Sequence, residues 1–306
     1  DLRQPPSVVA AYRRLGADDT VVAGGFPDDL LDWQLRALMS APELPGGGLV
    51  FFPGRRLVAL YGNPTTPALG VLGEQGPEAS IERITEIAQG YDADGVPVLP
   101  SFEIIATVAS ASAGADNDYS EEMALDLLRP WIEVAGNNGL YVILDLQSGR
   151  TDFLTQAQRY EEFLRLPHVG LALDPEWRLR PNQVHLRQIG SVDAAEVNTV
   201  VDWLAALVRQ HNLPQKFLLL HQFHLNMITN RDQVKTPEEL AVVVQMDGQG
   251  PLATKYDTWN ALIAGTDDAG FTWGWKNFYD EDTPRAGATA DQVLDLDPVP
   301  VYVSFQ

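Results

Sequence analysis

The chain has 306 residues, of which 45% are hydrophobic, and its formal net charge is −21. This size allows one large core, such as an α/β barrel of about 250 residues, and no run reaches the roughly 18 apolar residues of a membrane helix. The absence of cysteine excludes disulfides and thiolate chemistry. The acidity argues against nucleic acid and anionic membrane surfaces as partners.

The first residues, DLRQPPSVVAAYRR, lack the basic-then-apolar order of a signal peptide. The chain could begin after a removed leader, so we expect a secreted or cell-surface protein. We also expect a monomer that uses no cofactor and no metal.

Residues 1–50 are interrupted by proline and glycine and contain one short helical pattern, over 28–40. We interpret 1–50 as an extension that packs on the following domain, with an undetermined role. From residue 51, strand and helix patterns alternate. Strands are predicted over 56–64, 96–108, 140–149, 169–177, 216–224, the second part of 236–250, and 270–278. Helices are predicted over 78–91, 121–136 (capped by Ser120), 151–167, 192–212 (capped by Ser191), the first part of 236–250, and 251–265.

With a weak strand near 185–190 included, the pattern gives eight strand-then-helix units. Alternation at this spacing implies parallel strands, and eight of them predict a closed (β/α)8 TIM barrel over 51–306. A doubly wound open sheet is the alternative. Against it, no glycine-rich fingerprint follows the first strand.

Polar side chains follow most of the predicted strands, where a barrel places its chemistry. The fourth strand, VGLALDPEW, shows the pattern best, because one face carries Gly170, Ala172, Asp174 and Glu176 while the other is apolar. The residues at the strand ends are Glu103, Asp145, Gln147, Asp174, Glu176, Trp177, His221, Gln222, His224, Gln245, Asp247, Trp273, Trp275 and Lys276.

Several of these residues also have a purely structural interpretation. Asp174 before a proline could form an Asx turn, and His221 could be a satisfied core histidine. Trp273 and Trp275 could belong to the core. The regular phasing of carboxylates with the strands nevertheless favours a functional rim.

Carboxylates, amides and aromatic rings at an open barrel mouth point first to glycoside hydrolysis, which needs one protonated and one ionised carboxyl group. We predict Glu176 as the general acid, and its partner stays open among Asp174, Asp145 and Asp247. The predicted substrate-binding residues are Glu103, Gln147, Trp177, His221, Gln222, Gln245, Trp273 and Trp275.

The segment GLALDPEW resembles the fourth-strand signature of family 18 chitinase-type barrels, with Gly170, Asp174 and Glu176 in register. The late FTWGW is similar to that family's closing tryptophan strand. The resemblance implies that Glu176 is the acid and Asp174 its helper, with a substrate acetamido group as nucleophile. Val169 and Ala172 stand where that family has aspartates.

A second resemblance is to retaining-glycosidase barrels, which carry the acid after strand four and the nucleophile after strand seven. It implies Glu176 as acid and Asp247 as nucleophile. Two other classes stay open, a metal-dependent hydrolase using oxygen and imidazole ligands and a non-catalytic glycan-binding barrel. In the metal class, the HQFH spacing places His221 and His224 on opposite faces of a strand.

Overall fold

Eight parallel strands close into a barrel in the computed structural model, which describes residues 28–266 and 270–306. Each strand pairs with the next, and the first strand pairs with both the second and the eighth, which closes the ring. The fold is therefore the TIM barrel that the alternating pattern predicts. The strands are β1 Arg56–Gly62, β2 Val98–Ala109, β3 Tyr141–Leu146, β4 Val169–Leu173, β5 Lys216–Gln222, β6 Leu240–Met246, β7 Thr272–Asn277 and β8 Tyr302–Phe305.

Helices surround the barrel at positions close to those predicted. Two predicted caps are wrong: Ser120 lies in a short strand antiparallel to the end of β2, and the helix after it has Ala124 as its N-cap. Asp193, not Ser191, caps the long helix after β4 by accepting from the backbone of Ala195. The helices are α1 Asp28–Ser40, α2 Pro77–Ala88, α3 Leu125–Asn137, α4 Phe153–Arg159, α5 Glu161–Leu164, α6 Ala194–Gln210, α7 Leu252–Ile263 and α8 Ala290–Leu294.

The predicted strand near 185–190 is wrong, because this segment is a loop above the barrel. The eighth strand comes instead from the C-terminal tail, where VYVSF pairs with β7 and β1. As a result β5, β6 and β7 each stand one position earlier in the barrel than the sequence count placed them. The short helix predicted at the start of 236–250 is also wrong, because β6 is the one regular element of that segment.

The amino-terminal end of the barrel is covered by the segment that precedes β1. Phe51 lies edge-on to Tyr141 and Phe217, with ring centroids 5.0 and 5.5 Å away. Its backbone N–H donates to the side chain of Gln215 at 2.9 Å. Residues 1–27 of the predicted extension lie outside the described residues. The described part closes the bottom of the barrel, so the open mouth lies at the carboxyl ends of the strands.

The two faces of β4 are separated as its sequence predicts. Ala172 belongs to the apolar cluster inside the barrel, whereas Leu171 and Leu173 belong to the layer between strands and helices. A Cβ on Gly170 would stand 2.9 Å from the Tyr141 hydroxyl and 2.6 Å from the Phe217 carbonyl oxygen. Only glycine fits there, because the barrel interior is already filled by large side chains.

Within the described residues, every helix is too short or too polar to cross a bilayer.

Candidate active site

A cavity of about 600 Å³ opens at the carboxyl ends of the strands. Three carboxyl side chains and one ammonium reach it, together with apolar and aromatic groups from the loops. A partly apolar concave site with a few convergent polar groups is the usual form of a small-molecule site. Its lining includes Tyr61, Leu69, Gln147, Asp174, Glu176, Trp177, Leu186, Phe223, Asp247, Lys276 and Phe278.

His221 occupies the centre of the barrel beneath this cavity and is fully buried. Its Nδ1 lies 2.6 Å from Asp247 Oδ2, and its Nε2 lies 2.6 Å from Glu103 Oε1. Asp145 Oδ1 is 3.8 Å from the same Nε2. An imidazole between two carboxylates donates from both nitrogens only as an imidazolium.

The pKa of His221 agrees with that geometry. Burial alone would lower the pKa, but the charges of Glu103, Asp247 and Asp145 raise it well above its usual value. His221 is therefore a buried cation that holds carboxylates from three other strands in place.

Two tyrosines hold the outer oxygens of this network. Tyr302 donates to Glu103 Oε2 at 2.5 Å, and Tyr61 donates to Asp145 Oδ2 at 3.1 Å. Burial is the largest cause that raises the pKa of both hydroxyls well above 10, so both remain protonated donors. The network is thus fixed from β8 and β1 as well as from β5.

Lys276 is a second buried cation in this site. It comes from β7 and places its Nζ 3.0 Å from Asp247 Oδ1 and 3.6 Å from the ring centroid of Tyr61. Burial would lower its pKa, but nearby carboxylates, Asp247 first, raise it instead. A lysine paired in this way stays charged and neutralises Asp247.

Asp247 and Glu176 share the cavity but have opposite titration behaviour. Burial would raise the pKa of Asp247, yet Lys276 and His221 hold it at about 2. Burial raises the pKa of Glu176 to about 7, and the charge of Asp247 adds to this effect. At mildly acidic to neutral pH the site therefore offers one ionised carboxylate and one carboxylic acid. Such a pair is the requirement for acid-assisted bond cleavage.

Two further carboxyls are pushed towards the protonated form. Burial raises the pKa of Asp145 to about 6, and burial also raises the pKa of Asp174 well above its usual value. Asp174 additionally caps the turn at 175–177 by accepting from the backbone N–H of Glu176 at 3.2 Å. The Asx-turn interpretation is thus correct, and the same side chain also lines the cavity.

Several predicted binding residues lie elsewhere. Trp273 and Trp275 point away from the mouth and pack on Trp259 of α7, at ring-centroid distances of 6.0 and 5.9 Å. Gln222 also points outward, where it bonds Arg231. These three assignments are wrong because residues on adjacent positions of a strand face opposite sides. On β5 and β7 the inward positions belong to His221 and Lys276.

Other predicted residues face inward but do not reach the cavity. Gln245 lies inside the barrel and donates to Ser304 at 2.6 Å. Glu103 lies in the middle of β2 rather than after it, where it binds His221. Of the predicted amides, Gln147 alone lines the cavity, where its Nε2 donates to the Tyr61 hydroxyl at 3.3 Å.

Sequence reasoning missed Tyr61, Tyr302 and the pairing of Lys276 with Asp247. Alternation contained a signal for Lys276, because it stands between the two outward positions Trp275 and Asn277. The sequence analysis also missed Leu186, which is 86% exposed at the cavity rim with a left-handed φ of 61°.

The strand count also affects the second resemblance. Asp247 follows β6, so it does not occupy the position after strand seven that the retaining-glycosidase resemblance requires. The seventh strand brings Lys276 to the site instead.

Two sets of side chains in the site have metal-ligand geometry, and both include His221. One adds Glu103 and Asp145, the other Asp174 and Asp247. Both imidazole nitrogens already bond carboxylates, however, and Lys276 already neutralises Asp247. His224 does not join either set, since it caps the turn at 225–227.

Comparison with known proteins gives distant likenesses to solved structures. No protein-family model and no curated protein matches the sequence, so the resemblance to family 18 has no support from them. One similar solved structure is an uncharacterized B. cereus protein, at 12% identity and TM-score 0.42 over 83% of this chain and 61% of that chain. This chain thus spans about three-fifths of that protein.

A GH113 beta-1,4-mannanase is similar at 12% identity and TM-score 0.38, over 83% of this chain and 88% of that chain. A D-allulose 3-epimerase from Methylomonas sp. is similar at 12% identity and TM-score 0.39, over 84% and 86% of the two chains. Likenesses at this level carry no argument about activity.

Proposed function

We propose that this barrel hydrolyses O-glycosidic bonds of a polysaccharide or cell-surface glycan. The observation that carries the proposal is the pair of cavity carboxyls with opposite titration behaviour, Glu176 with a pKa of about 7 and Asp247 with a pKa of about 2. Glycoside cleavage needs such a pair, because the leaving oxygen must be protonated while positive charge develops at the anomeric carbon.

In the proposed reaction Glu176 gives its proton to the leaving-group oxygen as the C–O bond breaks. Asp247, ionised and held by His221 and Lys276, stabilises the positive charge of the sugar ring. Water then adds to the anomeric carbon and loses its proton, which restores Glu176. Trp177 supplies an aromatic face at the cavity wall for the sugar ring.

The structure's geometry favours Asp247 over the other two candidate partners. Asp145 lies beneath the cavity and does not line it. Burial raises the pKa of Asp174, whereas Lys276 and His221 lower that of Asp247, so the ionised form is favoured more strongly at Asp247. The acetamido-assisted route of the chitinase resemblance would instead use Asp174 as helper, and it predicts activity only on N-acetylated sugars.

The test is Glu176→Gln, assayed by reducing-end release on a panel of glycans with the wild type as reference. We expect turnover to fall by about 10²–10⁴, the usual contribution of a general acid, while glycan binding survives. Glu82→Gln on the outer face of α2 makes the same chemical change far from the cavity and should have no effect. Undiminished turnover in Glu176→Gln would refute the proposal.

The pH profile gives an independent check. Glu176 must be protonated and Asp247 ionised, so kcat/KM should fall as pH rises through about 7 and stay high down to strongly acidic pH. A non-catalytic glycan-binding barrel would show binding without turnover in the wild type.

A metal-dependent hydrolase is the second candidate, because Asp145 Oδ1 is fully buried without a hydrogen-bond partner beside His221 and Glu103. Elemental analysis of the purified protein and activity after chelation test it. Full activity of metal-free protein rejects this class, whereas a stoichiometric metal whose removal abolishes turnover favours it over the carboxyl pair.

A further inference from the structure

The acids that face the cavity exceed its cations. Three carboxyl groups line it, those of Asp174, Glu176 and Asp247, but Lys276 is the one cationic side chain in the described lining. Lys276 is already paired with Asp247 at 3.0 Å. Neither Asp174 nor Glu176 forms an ion pair with any described side chain, and His221 and Lys276 act on them only at longer range.

Asp174 is the better placed of the two for binding a ligand cation. It is 3% exposed and its Oδ1 is fixed by the backbone N–H of Glu176, while the carboxyl group reaches the cavity. Its other oxygen receives no hydrogen bond from the described residues. Glu176 must keep its proton to act as the acid. A cation that enters the cavity would therefore meet Asp174 as its partner.

We propose that the cavity selects sugars that carry a free amino group, with Asp174 accepting the sugar ammonium. This inference rests on the glycoside-hydrolase function proposed above and names its substrate class, a glycan that contains de-N-acetylated hexosamine. An ammonium supplies three donors and a positive charge in direct contact with Asp174, and an ion pair in a nearly buried site is far less screened than one at the surface. An N-acetyl group removes that charge, and a hydroxyl never had it.

The proposal predicts that binding releases a proton. Burial raises the pKa of the Asp174 carboxyl and so favours its protonated form in the free protein, although the charge of His221 opposes this effect. A sugar ammonium beside it favours the ionised form, so the proton leaves as the ion pair forms. The titratable groups that face Asp174 are Tyr61, Asp145, Glu176, His221, Asp247 and Lys276.

Calorimetric titrations with matched sugars test the inference. The probes are glucosamine, N-acetylglucosamine and glucose, together with the corresponding galactose series, titrated at pH 6 into Glu176→Gln so that turnover cannot interfere. We expect at least one amino sugar to bind about tenfold tighter or more than both neutral counterparts. The measured enthalpy should change between buffers of different ionisation enthalpy, which reports the released proton.

Asp174→Asn, made in the same background, assigns the preference. Asparagine keeps an acceptor for the Glu176 N–H but carries no charge, so the preference for amino sugars over neutral sugars should disappear. Glu82→Gln, which removes one charge from the outer face of α2, should keep the preference. Equal affinity for amino and neutral sugars overturns the inference, and so does a preference that survives in Asp174→Asn.

The wild-type titrations alone decide the question if Asp174→Asn does not fold. The two proposals also fail separately. Cleavage of glycans with no preference for amino sugars refutes the amino-sugar inference and leaves the hydrolase function standing. Tight binding of amino sugars with no cleavage of any amino-sugar polymer refutes the hydrolase function and leaves the ammonium site standing.

Discussion

Asp145 offers a quantitative test of the electrostatics of the site. Its side chain is fully buried, with Oδ2 accepting from Tyr61 at 3.1 Å and Oδ1 without a hydrogen-bond partner. An asparagine at this position would be nearly isosteric and would keep an acceptor for Tyr61. Asp145→Asn therefore removes the charge with little change in packing, and its effect on stability should depend on pH.

The magnitude follows from the pKa of Asp145, which burial raises from 3.8 to about 6. Because the folded pKa exceeds the unfolded pKa, the stability linked to the protonated form is complete below 3.8 and is lost as pH rises through 6. Relative to its value below pH 3.8, the free energy of unfolding of the wild type is then lower by about 1 kcal/mol at pH 4.5 and by about 3 kcal/mol at pH 7.5. Asparagine has no such loss.

Urea unfolding of wild type and Asp145→Asn at pH 4.5, 6.0 and 7.5 measures this difference. Relative to the wild type, the free energy of unfolding of the variant should rise by about 2 kcal/mol between pH 4.5 and pH 7.5. Glu82→Gln, on the exposed face of α2, is the control that makes the matching acid-to-amide change outside the buried network. A constant or falling difference for Asp145→Asn would show that the buried carboxyl is ionised at no cost, and the reasoning would be wrong.

Three further outcomes test other parts of the site. The chain has five histidines, so imidazole NMR should resolve His221 and show it protonated on both nitrogens at pH 7.5. Glu103→Gln should lower the pKa of His221. A neutral His221 at pH 7.5 would contradict an imidazolium between Glu103 and Asp247. Lys276→Met should move both limbs of the kcat/KM profile to higher pH, because it removes a charge that lowers two carboxyl pKa values; unmoved limbs contradict this. Trp273→Phe should lower the free energy of unfolding by roughly 1–3 kcal/mol without changing KM. Trp177→Ala should raise KM at nearly unchanged stability. The reverse pattern would show that Trp273, and not Trp177, contacts the substrate.

The barrel could be predicted from the sequence, and so could the part of the site that depends on strand alternation alone. β4 shows this clearly, because its small interior face and its apolar outer face are local properties of VGLALDPEW. The same local pattern brought Asp145, Asp174 and Glu176 to one end of the barrel. Their position could be predicted without knowing which strands are neighbours, because the carboxyl ends of parallel strands lie at one end of the barrel.

Residues whose role depends on a distant partner could not be predicted in this way. The signal of the aromatic pair Trp273 and Trp275 was stronger than that of Lys276, yet adjacent strand positions face opposite sides and only one set can reach the mouth. In the closed ring of strands, Lys276 faces the barrel interior and the two tryptophans face outward. The eighth strand was likewise missed because VYVSF is short and follows two prolines, and its pairing with β1 spans almost the whole chain.

The distribution of charge among separate strands explains why Glu176 and Asp247 differ so strongly. Both are acids near one cavity, and burial raises the pKa of each. Asp247 alone is in direct contact with both cations, Lys276 at 3.0 Å and His221 at 2.6 Å. Glu176 feels the same cations more weakly and also feels the negative charge of Asp247. The cations from β5 and β7 thus ionise one acid, and that ionised acid helps to keep the other protonated.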